Sequence, residues 1–262
     1  MNVLTVLDYN IWFDSYSRAE RTMSLIDIIE DKKPDIICLQ EVIDKVYKVL
    51  LMTLSKLGYL YHYPETITNA YQCAIISRYP IKETKQIEFD NSRMDRNLII
   101  TIIEFPIMTK VKDDIIIENI DIAIATSHFE SLFKVKYTAV KKEQFAVAKK
   151  ELDQLSKECH SVIFGCDTNI IGNEDQYFLT KDAEWKDVWI ELEKDHDTEY
   201  TYDTETNKNL MQRGVTNLRS RVDRLIFKGD IIAKSFELIK EGNLIVTPSD
   251  HHGIFAKLEI LT

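Results

Sequence analysis

Glycine and proline are scarce, at 7 and 5 of 262 residues. The chain therefore lacks a Gly/Ser/Pro linker at which to divide it, and a single domain over 1–262 is expected. Cysteine is also rare. Cys38, Cys73, Cys159 and Cys166 show no CxxC spacing, which argues against a disulfide scaffold or zinc site and for reduced thiols used as small hydrophobes. No apolar run approaches the roughly 20 residues of a membrane span, so no membrane partner is expected. The first apolar run contains Asp8 and has no basic leader. It does not read as a secretory signal, and an intracellular protein, nuclear or cytoplasmic, is expected. Positive charge is in deficit, with 43 Asp and Glu against 33 Lys and Arg and a formal net charge of −10. A protein that coats nucleic acid without specificity should be basic. Any contact with nucleic acid must therefore run through a local patch or a metal.

What remains is an ordinary globular composition, 45 % hydrophobic and 29 % charged, in a chain long enough to bury about three quarters of its surface. Apolar runs predict strands at 3–9, 36–39, 73–77, 81–89, 98–105, 115–126, 161–165, 224–227, 231–238 and 254–260. Helical spacing predicts helices at 18–30, 44–56, 138–155 and 183–193. Their inward faces are read as Met23, Ile26 and Ile29 with Leu25 and Ile28 beside them, then Val46, Val49, Leu50, Thr53 and Leu57, and last Trp185, Val188, Trp189 and Leu192. Lys141-Lys142 and Lys149-Lys150 are placed on the solvated face of the third helix. Strands interleaved with helices, then strands again, predict an α/β fold of two packed sheets covered by helices.

Polar residues recur just past the ends of the apolar strands: Asn10, Glu41, His128, Asp167 with Asn169, and Asp250 with His251, while Asp223 opens a strand. Strand ends can present side chains to a shared crevice. Carboxylates with Asn and His make a hard, oxygen-rich site suited to Mg²⁺, with Mn²⁺ as a substitute.

The ordered segments are Asp8-Tyr9-Asn10, Leu39-Gln40-Glu41-Val42, Ser127-His128-Phe129-Glu130-Ser131, Asp167-Thr168-Asn169, Arg221-Val222-Asp223-Arg224 and Ser249-Asp250-His251. In this order they resemble the endonuclease/exonuclease/phosphatase superfamily. With Tyr200-Thr201-Tyr202-Asp203-Thr204 they are most similar to its tyrosyl-DNA phosphodiesterase 2 subfamily. The resemblance implies a DNase I-like fold, a two-layered mixed β-sheet sandwich flanked by helices. It implies a Mg²⁺-dependent, monomeric phosphodiesterase acting on nucleic acid that carries a 5′-tyrosyl or peptide adduct of the topoisomerase type. Glu41 would be the direct metal ligand, with Asp250 and Asn10 supporting the ion. Asp167 would orient or deprotonate the attacking water, and Asn169 would bond to the water or phosphate. His251 would stabilise charge on the crowded phosphorus centre, its ring held by Asp223. His128 and Ser131 would contact the phosphate.

Arg96 and Arg221, with Arg93 and Arg219, are candidates for a local basic rim, and Tyr71 and Tyr202 for stacking on bases. Two alternatives fit the same residues: an apurinic-site endonuclease/exonuclease of the superfamily, and a nucleic-acid-binding scaffold without catalysis. The sequence departs from the subfamily pattern where nucleic acid is expected to lie. Ile170-Ile171 stand in place of Leu-Arg, so a phosphate-side arginine is missing. Tyr202 and His252 replace tryptophans, Val222 a phenylalanine, Cys166 a glycine, and Asp8-Tyr9 replaces Thr-Trp.

Overall fold

The computed structural model describes residues 2–111, 114–131, 136–171, 184–192, 195–241 and 246–262. The chain runs β1 (Val3–Asn10), α1 (Arg18–Lys32), β2 (Ile36–Val42), α2 (Asp44–Leu54), β3 (Tyr61–Tyr63), β4 (Gln72–Ser77), β5 (Ile81–Glu88), β6 (Asn97–Val111), β7 (Asp114–His128), α3 (Lys136–Leu155) and β8 (Ser161–Asp167). It continues through β9 (Lys186–Asp187), α4 (Val188–Glu191), β10 (Tyr202–Asp203), α5 (Lys208–Gln212), β11 (Arg219–Ser220), β12 (Asp223–Gly229), β13 (Ile231–Ile239) and β14 (Gly253–Ile260). Two mixed six-stranded sheets form, in the orders β13-β14-β1-β2-β4-β3 and β5-β6-β7-β8-β12-β9, and β10 pairs with β11.

The central strands are apolar throughout because both of their faces are covered. In β1 and β2, Leu4, Val6, Ile36 and Cys38 pack between the sheets, while Leu7, Tyr9, Ile37 and Leu39 pack under α1 and α2. In β8, Ile163 faces the opposite sheet, and Val162 and Phe164 pack with Phe145, Ala148 and Leu152 of α3. All four cysteines are free and buried.

Three helical expectations shift. Met23 is 53 % and Val49 39 % exposed. The inward stripes run through Leu25, Ile26, Ile28 and Ile29 in α1 and through Val46, Tyr47, Leu50 and Leu54 in α2. The helix expected over 183–193 is a two-residue strand followed by the single turn of α4; its expected ends, 183 and 193, lie outside the described residues. The Asp187 side chain explains the short turn, since it accepts from the Trp189 and Ile190 backbone N–H groups and caps a helix that starts at Val188. Trp185 joins the α3 core while the Trp189 Nε1 donates to Thr198 Oγ1, so the two indoles serve different neighbourhoods.

The sheets approach closely at Gly165 of β8. A Cβ there would meet Asp8 Oδ1 of β1 at 2.5 Å and Asp8 Cγ at 2.7 Å. Asp8 is fully buried and held by Gln40 Nε2 at 2.7 Å, so it has little room to yield. Gly165→Ala should cost about 1–3 kcal/mol, read as a lowered urea midpoint with an unchanged slope. An unchanged midpoint would show that Asp8 moves aside freely.

Candidate functional site

Strand polarity gathers the site. β1 and β2 run parallel with Asn10 opposite Gln40, and β7 and β8 run parallel with His128 opposite Asp167. Each parallel pair therefore delivers its polar end residues to one edge. β12 runs antiparallel to β8 and opens with Asp223 directly opposite Asp167. The 249–251 segment enters β14, which lies antiparallel to β1, and is tied down by Ser249 Oγ donating to the Asn10 carbonyl at 2.6 Å. The result is a cleft of about 260 Å³ whose lining includes Glu41, His128, Asp167, Asn169, Asp250 and His251.

Local backbone distortions aim the side chains. The β2–β4 register slips between Leu39 and Val42, and Glu41 sits in that bulge at φ 59°. Trp12 (φ 60°) and Asn169 (φ 49°) also adopt the left-handed region, a strained choice for such residues that the surrounding contacts must impose. Glu41 Oε2 accepts from the Phe13 N–H at 3.0 Å. Asn169 is braced twice, with its N–H donating to Asp167 Oδ1 at 3.0 Å and its Nδ2 to the Phe129 carbonyl at 3.1 Å. Its own carbonyl accepts from Lys141 Nζ at 2.6 Å. Lys141 is thus no solvated lysine; it is 3 % exposed and supports the Asn169 turn from behind.

The partners of the two site histidines assign them different charge states. Arg96 Nη1 lies 2.8 Å from His128 Nδ1. A guanidinium only donates, so Nδ1 accepts and the ring proton sits on Nε2, 3.3 Å from Asp167 Oδ2. Burial and then the Arg96 charge hold the His128 pKa well below the usual histidine range. His251 Nδ1 lies 2.8 Å from Asp223 Oδ2, and its Nε2 lies 3.9 Å from Asp167 Oδ2. Burial opposes charge on this ring, but the Asp223 and Asp167 carboxylates outweigh it and hold its pKa well above the usual range. His251 is an imidazolium at neutral pH, and His128 is neutral. Asp167 Oδ2 also accepts from Asn10 Nδ2 at 2.8 Å.

The donor set fits a divalent cation. Ligand atoms of Asp167, Asp223 and His251 lie within 4.8 Å of one another; with His251 protonated on both nitrogens, the carboxylates are the oxygen donors of this group. Beside them, burial and then the neighbouring Asp250 charge push Glu41 up to about 7, and burial raises Asp250 as well. Buried acidic oxygens that repel one another are what a hard cation relieves.

The other expected contacts divide. Ser131 and Tyr202 line the cleft, and the Tyr202 ring meets His251 edge-on with centroids 5.1 Å apart. Tyr71 stacks on the cleft residue Phe13 at 4.5 Å, with the Arg96 guanidinium 5.2 Å from its ring. Arg96 itself is buried behind His128, so it acts on the site through that ring. Arg221 does not join the cleft. Its side chain is 9 % exposed, paired with Asp187 Oδ2 at 2.7 Å and lying over Trp189 at 4.6 Å. Arg219 pairs with Asp203 and Glu205, so the expected basic rim does not form from these arginines. Sequence reasoning missed Arg213, which enters the cleft from the end of α5 and reaches Asp250 Oδ2 at 3.1 Å. It missed Trp12 too. Neither carries a motif signal, because each owes its place to packing distant in sequence.

Comparison with known proteins agrees with the two-sheet fold. The model of the Endonuclease/Exonuclease/phosphatase family matches residues 9–251. Tyrosyl-DNA phosphodiesterase 2 of Homo sapiens is 28 % identical over 272 residues, covering 99 % of this chain and 69 % of that protein. The 5′-tyrosyl-DNA phosphodiesterase of Caenorhabditis elegans is 27 % identical over 262 residues, covering 97 % and 66 %. The crystal structure of D. rerio TDP2 complexed with single strand DNA product superposes with a TM-score of 0.79 at 24 % identity, over 99 % of this chain and 100 % of that one.

The raised Glu41 pKa carries a stability signature. The unfolded chain releases this proton near the ordinary 4.5, while the folded chain holds it to about 7. The native state thus binds more protons in that interval, and stability is lost as pH rises through it. In chelator at pH 8, Glu41→Gln should therefore melt higher than wild type, by an amount on the order of 2 kcal/mol. The difference should vanish below about pH 4. A mutant less stable than wild type at pH 8 would contradict the buried, repelled carboxyl.

Proposed function

The chain belongs to the endonuclease/exonuclease/phosphatase family, and we propose that it is a Mg²⁺-dependent phosphodiesterase that cleaves the bond between a tyrosine and the 5′-phosphate of a nucleic acid end. The products are a free tyrosine or tyrosyl peptide and a 5′-phosphate. The observation that carries this reading is Asp167, held by Asn10 and neutral His128 and facing the His251 imidazolium across the cleft. The names of the curated relatives, aligned over nearly the whole chain, point to the same activity.

In this reading Glu41 and Asp250 hold Mg²⁺, or Mn²⁺ in its place, with Asn10 supporting them. The bound ion would polarise a phosphoryl oxygen as a Lewis acid. Asp167 takes the proton of the attacking water, and two hydrogen bonds, from Asn10 Nδ2 to Oδ2 and from the Asn169 N–H to Oδ1, keep its carboxylate in place. The His251 ring, held by Asp223, donates from Nε2 to the oxygen on which negative charge builds. Asn169 and Ser131 contact the phosphate, while His128 orients Asp167 and contacts the phosphate only at its edge. A phenol has a pKa near about 10, well below a sugar hydroxyl, so the tyrosyl oxygen leaves as an anion without a strong general acid. Tyr202 and Tyr71 offer ring faces to a single-stranded end. The protein acts as a monomer in one catalytic domain. No helix among the described residues is long and apolar enough to cross a membrane.

Matched oligonucleotides test the reading directly. A 5′-tyrosyl strand should be cleaved much faster than an unmodified strand or an abasic duplex, and a chelator should stop all turnover. His251→Ala should lower kcat at least 100-fold with little change in KM, since the contact is made mainly in the transition state. Asp223→Asn should act in the same direction but less strongly. Faster cleavage of the abasic duplex would overturn the tyrosyl assignment in favour of the apurinic-site reading.

A further inference from the structure

A substrate for this cleft is a polyanion, yet Asp14, Glu41, Asp167 and Asp250 all line it. Among the described lining residues Arg213 is the sole lysine or arginine. After Asp167-Thr168-Asn169, Ile170 is buried in the α3 core and Ile171 gives the cleft wall an apolar side chain. Of the other arginines expected at the rim, Arg221 pairs with Asp187, Arg219 with Asp203 and Glu205, and Arg96 with His128, while the exposed Arg93 is not among the described lining residues of the cleft. Arg213 differs from them. Its side chain is 47 % exposed, and Nη1 reaches Asp250 Oδ2 at 3.1 Å. The guanidinium lies 5.1 Å from the centre of the Trp12 ring, an apolar platform that fixes its height in the cleft. No hydrogen bond from Nε or Nη2 is made to the described residues.

We propose that Arg213, at the end of α5, is the phosphate-binding arginine of this site. It grips a phosphate of the nucleic acid end through Nε and Nη2, the paired donors that suit phosphate oxygens. The inference rests on the phosphodiesterase reading and deepens it: it names the residue that sets affinity for the anionic strand. Arg213 stands on a half-exposed, five-residue helix whose last turn is closed by backbone bonds from its own N–H to Asn209. Substitution of its side chain should therefore leave the fold intact.

The test is the salt dependence of binding to the product, a fluorescent 5′-phosphorylated single strand, with Mg²⁺ present. Each phosphate contact on a single strand contributes about 0.7 to the slope of log affinity against log salt concentration. Arg213→Gln should lower that slope by about 0.7 and weaken binding roughly tenfold at low salt, while Arg213→Lys should keep most of the slope. In turnover, KM for the tyrosyl strand should rise with kcat little changed. Calorimetric titration with Mn²⁺ separates this from a role in holding Asp250. If Arg213 merely positions Asp250, Arg213→Gln should weaken metal binding. If it serves phosphate, loss of its charge should leave metal binding equal or tighter. An unchanged salt slope in Arg213→Gln, with a wild type that binds the strand in a salt-dependent way, would overturn the arginine assignment alone. A wild type with no salt-dependent binding to the strand would overturn both this assignment and the phosphodiesterase reading beneath it.

Discussion

The hydrogen bond from Asn10 Nδ2 to Asp167 Oδ2, 2.8 Å long, joins the end of a central strand in one sheet to the end of a central strand in the other. Both residues are buried, and a buried polar group left without its partner costs about 1–3 kcal/mol. The two sheets are thereby held in one register at the cleft mouth. Asn10 also accepts from Ser249 Oγ at its carbonyl and from the Trp12 N–H at Oδ1. The segment that carries Asp250 and His251, and the loop that braces Glu41, are thus indexed to the same asparagine. The site's geometry follows from one cross-sheet contact and the strands that deliver it.

Around that contact the protein divides identical chemistry into opposite roles. His128 and His251 are both buried and both approach Asp167. A guanidinium behind the first ring discharges it, and a carboxylate behind the second charges it. Burial disfavours charge on both rings; Arg96 adds to that effect at His128, while Asp223 and Asp167 outweigh it at His251. The acidic side of the cleft follows the same logic, since Glu41 and Asp250 sit where burial and mutual repulsion favour a bound divalent ion.

Much of this was legible in the sequence because it is a property of strands. Apolar runs ending in Asn10, Glu41, His128 and Asp167 marked the site, and parallel pairing put those ends on one edge. The two-sheet α/β architecture followed from the same runs. What stayed hidden depends on tertiary placement. Nothing local announces that Glu41 occupies a bulge or that Lys141 turns inward to the Asn169 carbonyl. Arg221 and Arg213 look alike as residues near polar stretches, yet Asp187 captures the first while α5 swings the second into the cleft. The 183–193 segment had the apolar spacing of a helix, but the Asp187 cap and the pairing of Lys186–Asp187 with β12 shorten it to one turn.

The opposed charge states of the two histidines are the centre of this account, and ¹⁵N–¹H correlation of the imidazole rings reads them without any substrate. At neutral pH in chelator, His128 should carry a proton on Nε2 alone. His251 should be protonated on both nitrogens and remain so as the pH rises past the ordinary histidine range of about 6.5. A doubly protonated His128, or a neutral His251 at neutral pH, would contradict it.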